Sequence, residues 1–228
     1  MLKKIAVLTG AGISAESGIK TFRDANGLWE DHDVMTVASP QGWADDQELV
    51  LRFYNDRRRQ LKEVLPNQGH IDLVQLEQNH DVVIITQNVD DLHERAGSSH
   101  IIHLHGELNK VRCTVKEELI YEWDKDLHTG DLSDAGHQLR PHIVWFGEMV
   151  PMLEKAAAEV ATADIILIIG TSMQVYPAAG LVSYAQAHAK IYYIDPKPLL
   201  NYELRHASKL TVIEEVATKG VKTCMEMI

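Results

Sequence analysis

The chain has 228 residues, enough to bury a sizeable core in one domain, or in one domain with an added lobe. Its formal net charge of −11 at pH 7 argues against broad binding to nucleic acid or to an anionic membrane, and suits a basic, lysine-bearing partner. Two cysteines, Cys113 and Cys224, do not make a disulfide framework, so a reducing cytoplasm is the expected compartment. Met1-Leu-Lys-Lys4 precedes only a short apolar run, too short for a signal-peptide core, and residues 165–169 are far too few to span a bilayer.

Ile5-Ala6-Val7-Leu8 reads as a buried parallel strand. It runs into Thr9-Gly10-Ala11-Gly12-Ile13-Ser14-Ala15-Glu16-Ser17-Gly18-Ile19, in which Gly10, Gly12 and Ala15 fit the spacing of a dinucleotide loop. Gly10 allows a tight turn, Gly12 lets backbone N–H groups approach a pyrophosphate, and Ala15 lets the next helix lie against the strand. The helix N-terminus then faces the phosphates, with Ser14 and Ser17 as extra donors. A ligand-free tight turn would look the same. A dehydrogenase would next supply a second strand and an acidic residue about 20 residues on. Residues 20–33 hold no such strand. They are polar, with Phe22, Arg23, Gly27 and Trp29, and read as a loop that covers a cofactor.

Further strands are expected at 82–86, 101–104, 143–146, 165–169, 191–194 and 210–213, and helices near 46–64, 68–78, 152–161 and 178–189, with Asn67 starting the second helix. This is an α/β pattern: a Rossmann-like parallel sheet with helices on both faces and a smaller inserted lobe. The core is expected at about 1–29, 76–106 and 142–228. The lobe is expected at about 30–75 and 107–141, with a ligand cleft between the two.

Several strand ends carry chemistry. Gln87, Asn88 and Asp90 end one strand, where hydrogen-bonding groups meet ligands, although Asn88 or Asp90 can equally cap the next helix. His103 and His105 fall on one face of the next strand, so a metal pair is conceivable, but His103 is read as an ordinary histidine. His105, beside Gly106, is placed to act as a general base. The run 141–148 reads as a core strand closed by Gly147. Gly170, Thr171, Ser172 and Val175 follow another strand and suit a ribose or phosphate. Asp195 can accept from ribose hydroxyls, and Ala217 lies near an adenine contact. In the 46–64 helix, Tyr54 and Arg57 share a face and offer a hydroxyl and a guanidinium fork to a carboxylate, while Arg58 and Arg59 read as a solvated basic face.

The string Gly10 to Gly18, with Phe22-Arg23 and Gly27-Leu28-Trp29, resembles the sirtuin cofactor signature, and Thr86-Gln-Asn-Val-Asp90, His105-Gly106 and Gly170-Thr-Ser172 follow in family order. The resemblance implies an NAD-dependent protein-lysine deacylase. Gly10, Ala11, Gly12, Ser14, Glu16, Phe22, Arg23, Trp29, Gln87, Asn88, Asp90, Gly170, Thr171, Ser172, Val175, Asp195 and Ala217 would contact NAD. Asp195 stands where the family usually has Asn. His105 would be the catalytic base, with Asn88 positioning water. Val144, Trp145, Phe146 and Gly147 would line the acyl-lysine tunnel and pair with the peptide backbone. Tyr54 and Arg57 resemble the pair of the subgroup that removes succinyl and malonyl groups. The products would be nicotinamide, free lysine and an O-acyl-ADP-ribose, and the partners acylated-lysine proteins or peptides. Many sirtuins hold zinc with four cysteines. With Cys113 alone in this lobe, and His128 and His137 distant in sequence, no structural zinc is expected. Leu119, Tyr121, Trp123 and Leu127 would hold the lobe instead. Transfer of ADP-ribose to protein, and NAD sensing without catalysis, are the alternatives.

Overall fold

The computed structural model describes residues 2–20, 28–29 and 32–228. Phe22 and Arg23 lie outside the described residues. In chain order the strands are β1 (Lys4–Thr9), β2 (Leu28–Trp29), β3 (His32–Asp33), β4 (Asp81–Thr86), β5 (Ile101–His103), β6 (Gly106–Cys113), β7 (Ile120–Glu122), β8 (Leu139–Ile143), β9 (Ile165–Ile169), β10 (Lys190–Ile194) and β11 (Leu210–Ile213). The α-helices are α1 (Ala11–Ser14), α2 (Val34–Val37), α3 (Pro40–Asp45), α4 (Gln47–Leu61), α5 (Gln68–Leu76), α6 (Leu92–Ala96), α7 (Leu153–Ala161), α8 (Tyr202–Arg205) and α9 (Ala217–Met225).

Six of these strands form an all-parallel sheet in the order β11–β10–β9–β1–β4–β5. Side chains alternate between its faces. Ala6, Leu8, Val83, Ile85, Ile166 and Ile168 pack with α7 on one side. Ile5, Val7, Ile84, Ile165 and Leu167 pack with α5 and α9 on the other. Burial on both faces is why these strands read as unbroken apolar runs. The strand order reverses between β1 and β9, and the carboxyl ends of these two strands carry Gly10 and Gly170. That is the switch point at which open α/β sheets hold ligands.

The small lobe contains α2, α3, α4 and the antiparallel sheet β7–β6–β8. Leu51, Val111, Leu127 and Leu139 form its buried cluster, with Trp43, Tyr121 and Trp123 packed on them. Tyr121, Trp123 and Leu127 thus hold the lobe as expected, whereas Leu119 stays outside the cluster.

Four expectations are corrected. The lobe expected at about 30–75 would include helix α5, but Leu73 and Leu76 pack on the main sheet. The strand expected at 143–146 is β8, displaced upstream and paired with β6, because segment 144–148 turns through Gly147 at φ +92°. The last expected helix is a short 3₁₀ segment, Ala178–Tyr184. Arg58 is not on a solvated face. It is 1% exposed, and it donates from Nε to the Leu108 carbonyl (2.7 Å) and from Nη1 to Asn55 Oδ1 (2.6 Å). Burial pulls its pKa down to about 10, with Asp126 opposing. Arg59 is the solvated one, paired with Asp56 and Asp126.

Candidate active site

A cavity of about 650 Å³ opens at the switch point. One wall is the first glycine loop, with Gly10, Ala11, Gly12, Ala15 and Glu16. The opposite wall carries Gly170, Thr171, Ser172 and Val175, and the far end Asp195 and Val216. The two loops touch: a Cβ on Gly12 would lie 2.5 Å from the Gly170 Cα, and one on Gly10 would lie 2.8 Å from the Thr171 Cβ. Gly170 itself adopts φ +61°, so glycine is required there for backbone and space alike.

The loop works differently from the sequence reading. The Gly12 N–H does not point at a ligand; it donates to the Gly170 carbonyl at 2.8 Å. Helix α1 has only four residues and no side-chain cap, so its dipole is small. Ala15 faces the cavity, and Ile13 takes the packing role against the sheet. Ser14 is buried beneath the wall, where its Oγ donates to Asp90 Oδ2 (3.0 Å) and accepts from Asn88 Nδ2 (3.1 Å). Ser17 Oγ accepts from Asn67. The Glu16 carboxylate lines the cavity but is engaged by Thr218, accepting from its backbone N–H (3.0 Å) and its hydroxyl (2.7 Å). Ala217 is core, 4% exposed, and Val216 takes its place on the wall.

Gln87, Asn88, Asp90 and His105 converge on the same cavity from β4 and the segment after β5. Gln87 Nε2 donates to Thr171 Oγ1 (3.0 Å) across the switch point. Asn88 Nδ2 also donates to the Gly10 carbonyl (3.2 Å). Asp90 reaches the cavity and accepts from the Leu92 N–H (3.2 Å), but the N-cap of α6 is Asp91, which makes no side-chain cap bond, so neither Asn88 nor Asp90 is the N-cap of that helix. Burial raises the Asp90 carboxyl pKa to about 6, against the Leu92 and Ser14 hydrogen bonds and the charge of His103. His105 Nδ1 lies 3.0 Å from the Gln87 carbonyl. A carbonyl only accepts, so Nδ1 carries the hydrogen and Nε2 keeps its lone pair. Burial depresses the pKa of this imidazole, with the Gln87 contact opposing, so it is neutral at pH 7.

Val144, Trp145, Phe146 and Gly147 line the cavity, as does Glu148 beyond them. The N–H groups of Val144 and Phe146 donate to the carbonyls of His105 and Ala38, and that of Trp145 to Glu148. Peptide pairing through these three donors is therefore not available. Arg140 clamps Glu148 through two bonds of 2.6 and 3.1 Å and stacks on Trp145. Trp29 borders both this cavity and a small adjoining one of about 40 Å³, where Arg57 lies on the wall. Tyr54 lines neither. It is wholly buried, its hydroxyl accepts from Trp145 Nε1 (3.0 Å), and burial raises its pKa. Gln174, Tyr176, Lys197 and Leu199 also line the main cavity. Sequence reasoning passed over them because no motif spacing marks them.

A profile of the Sir2 family matches residues 10–177. The chain belongs to the Sir2 family. It is 62% identical over 196 residues to the "NAD-dependent protein deacylase" of Helicobacter pylori, which covers 86% of each chain. It is 51% identical over 234 residues to the protein of the same name from Bacteroides thetaiotaomicron, covering 100% of this chain and 98% of that one. The solved structure described as a Sir2 homolog–NAD complex superposes with a TM-score of 0.86 at 38% identity, over 99% of this chain and 89% of the other. This Sir2 chain has only two cysteines, both buried and unbridged, so a four-cysteine zinc site cannot form. Cys113 Sγ instead accepts from Ser133 Oγ (3.2 Å) and the Lys116 N–H (3.3 Å).

Proposed function

We propose that the cleft removes acyl groups from protein lysine at the expense of NAD, and that it extends to acidic acyl groups. The carrying observation is His105: a neutral imidazole with Nδ1 committed to the Gln87 carbonyl and Nε2 open to a cleft between two interlocked glycine loops.

The cleft fits NAD. The two glycine loops touch so closely that neither Gly10 nor Gly12 could carry a Cβ. A cavity of about 650 Å³ lies beside them, and Asp195 at its far end offers acceptors suited to ribose hydroxyls. When bound, NAD supplies the nicotinamide–ribose bond that is broken and the sugar that receives the acyl group. The residues of the chain orient and protect. Gln87 and Asn88 are fixed by Thr171, Gly10 and Ser14, so their positions are set before substrate arrives. Asp90 offers a carboxylate acceptor at the inner end. His105 Nε2 takes a proton, a step that typically contributes about 10²–10⁴-fold. Trp29, Trp145 and Phe146 exclude water from the reacting groups.

The acidic-acyl reading rests on Arg57. Its pocket shares Ile19, Trp29, Val89 and Asp90 with the main cavity, so a short carboxylate-tipped chain entering from the cleft is directed toward a guanidinium. Acetyl-, succinyl- and malonyl-lysine peptides with NAD, followed by mass spectrometry, test both levels. Turnover of any of them with release of nicotinamide supports the deacylase. Selective loss on the acidic peptides in Arg57→Met supports the receptor, and equal loss on all three rejects it. Labelled NAD that ends on protein rather than in a small acylated product would favour ADP-ribosyl transfer.

A further inference from the structure

His103 stands two residues before the proposed base, and its surroundings differ in kind. Its Nδ1 lies 3.3 Å from the Asn88 carbonyl and its Nε2 2.6 Å from Glu94 Oε1. Both partners are acceptors: a carbonyl never donates, and Glu94 is held ionised. A neutral imidazole can satisfy only one of them. His105, with one carbonyl partner, keeps a free lone pair; His103, with two acceptors, has none to keep.

We propose that His103 is a positioning residue: an imidazolium clamped between the Asn88 carbonyl and the Glu94 carboxylate, which pins the Gln87–Asp90 turn to the cleft and lends it a positive charge. The loop side holds the turn through Ser14 and Gly10, Thr171 and His105 hold it at Gln87, and the Leu108 N–H holds the Val89 carbonyl. His103 grips it from behind, and its side chain is only 11% exposed. The charges around it agree with this role. Glu94 from α6 and Glu107 from β6 favour the cation, and burial opposes it; the net direction of its pKa is upward. His93 is a neutral neighbour, its own pKa held down by burial. Asp90 feels His103 as an attractive charge and Asp91 as a repulsive one. A bound metal is a weaker account of this cluster. Glu94, His103 and Glu107 do present ligand atoms within 4.8 Å of one another, but the Lys110 ammonium pairs with Glu107 at 2.9 Å, and a ring that donates at both nitrogens has no lone pair for a cation.

The inference rests on the reading of Asn88 and Asp90 as cofactor contacts, and two measurements separate it from that reading. The first is ¹⁵N NMR of the histidine rings in the intact protein at pH 7, assigned by loss of the signal in His103→Gln. His103 should show two protonated nitrogens and His105 one. A neutral His103 ring overturns the proposal whatever the enzyme does. The second is the pH profile of kcat/KM for NAD in His103→Gln and Glu94→Gln. Glu94 is 40% exposed at its side chain, so its replacement spares the fold. Both variants should lose about threefold at pH 6 and nothing at pH 8, because a carboxylate without its neighbouring cation ionises later. The loss should fall on KM more than on kcat. An imidazolium signal with an unchanged profile overturns the positioning role. If the wild type releases no nicotinamide at all, the deacylase reading falls instead, and the NMR result still decides the protonation state.

Discussion

Replacing Gly12 by alanine tests how the two glycine loops make the cofactor site. The new methyl carbon would sit 2.5 Å from the Gly170 Cα, 2.8 Å from its carbonyl oxygen and 2.9 Å from its carbonyl carbon. All three neighbours are backbone, so no side chain can swing away. Ordinary contact begins near 3.5 Å, which requires the loops to part by about 1 Å. That movement breaks the 2.8 Å bond from the Gly12 N–H to the Gly170 carbonyl, worth about 1 kcal/mol net. It also shifts Thr171 and Ser172 relative to Gly10 and Ala11. A misplacement of about 1 Å can cost on the order of 100-fold in an organised site, so Gly12→Ala should weaken NAD binding by about 10- to 100-fold while lowering stability by only about 1–2 kcal/mol. Calorimetric titration of NAD, beside a thermal melt, reads both. Gly180→Ala is the control, since its Cβ would meet only the Tyr176 ring at an ordinary 3.6 Å. If Gly12→Ala binds NAD within about twofold of the wild type, the interlocked loops do not shape the site.

His105→Ala should keep NAD affinity and lose about 10²–10⁴-fold in turnover; full turnover in a nicotinamide-release assay removes His105 from the reaction. Arg58→Met should cost about 3–5 kcal/mol in urea unfolding, because two buried acceptors lose charge-assisted partners. Arg59→Met should change little, and an equal loss in both would contradict the buried role of Arg58. His70 is fully buried and its pKa is lowered by that burial from 6.5 to about 4, so the folded state binds its proton less readily than the unfolded chain. Its stabilisation is complete above the unfolded value and is lost as pH falls toward the folded one, about 2 kcal/mol of it by pH 5. The drop in unfolding free energy between pH 7.5 and pH 5 should therefore shrink by about that amount in His70→Gln, and an unchanged drop would show that His70 is not the group responsible. Chelation should leave the melting temperature unchanged, since Cys113 is held by Ser133 and Lys116, and a fall in that temperature would point to a bound metal.

The local pattern of residues determined much of this protein. Strands buried on both faces had to be apolar throughout, so β1, β4, β9 and β10 stand out in the chain. The carboxyl ends of β1, β4, β5 and β9 are where Gly10, Gln87, Asn88, His105 and Gly170 occur, the ends at which open α/β sheets hold ligands. Asn67 announces helix α5 because capping is a short-range contact, and it accepts from a helix N–H as its type predicts. What spacing could not decide was which partner each polar group would find. Arg57, Arg58 and Arg59 look alike in the chain, yet one borders a pocket, one is sealed in the core and one pairs with surface carboxylates. Helical rotation separates their directions, but the burial of Arg58 depends on Leu108 and residues 125–127 arriving from elsewhere in the sequence. Gly12 and Gly170 are likewise 158 positions apart, and only the parallel pairing of β1 with β9 turns a presumed phosphate donor into a strut between loops. His103 and His105 differ for the same reason. Each imidazole takes its charge from the acceptors that the fold sets against it, and those lie on other strands and helices.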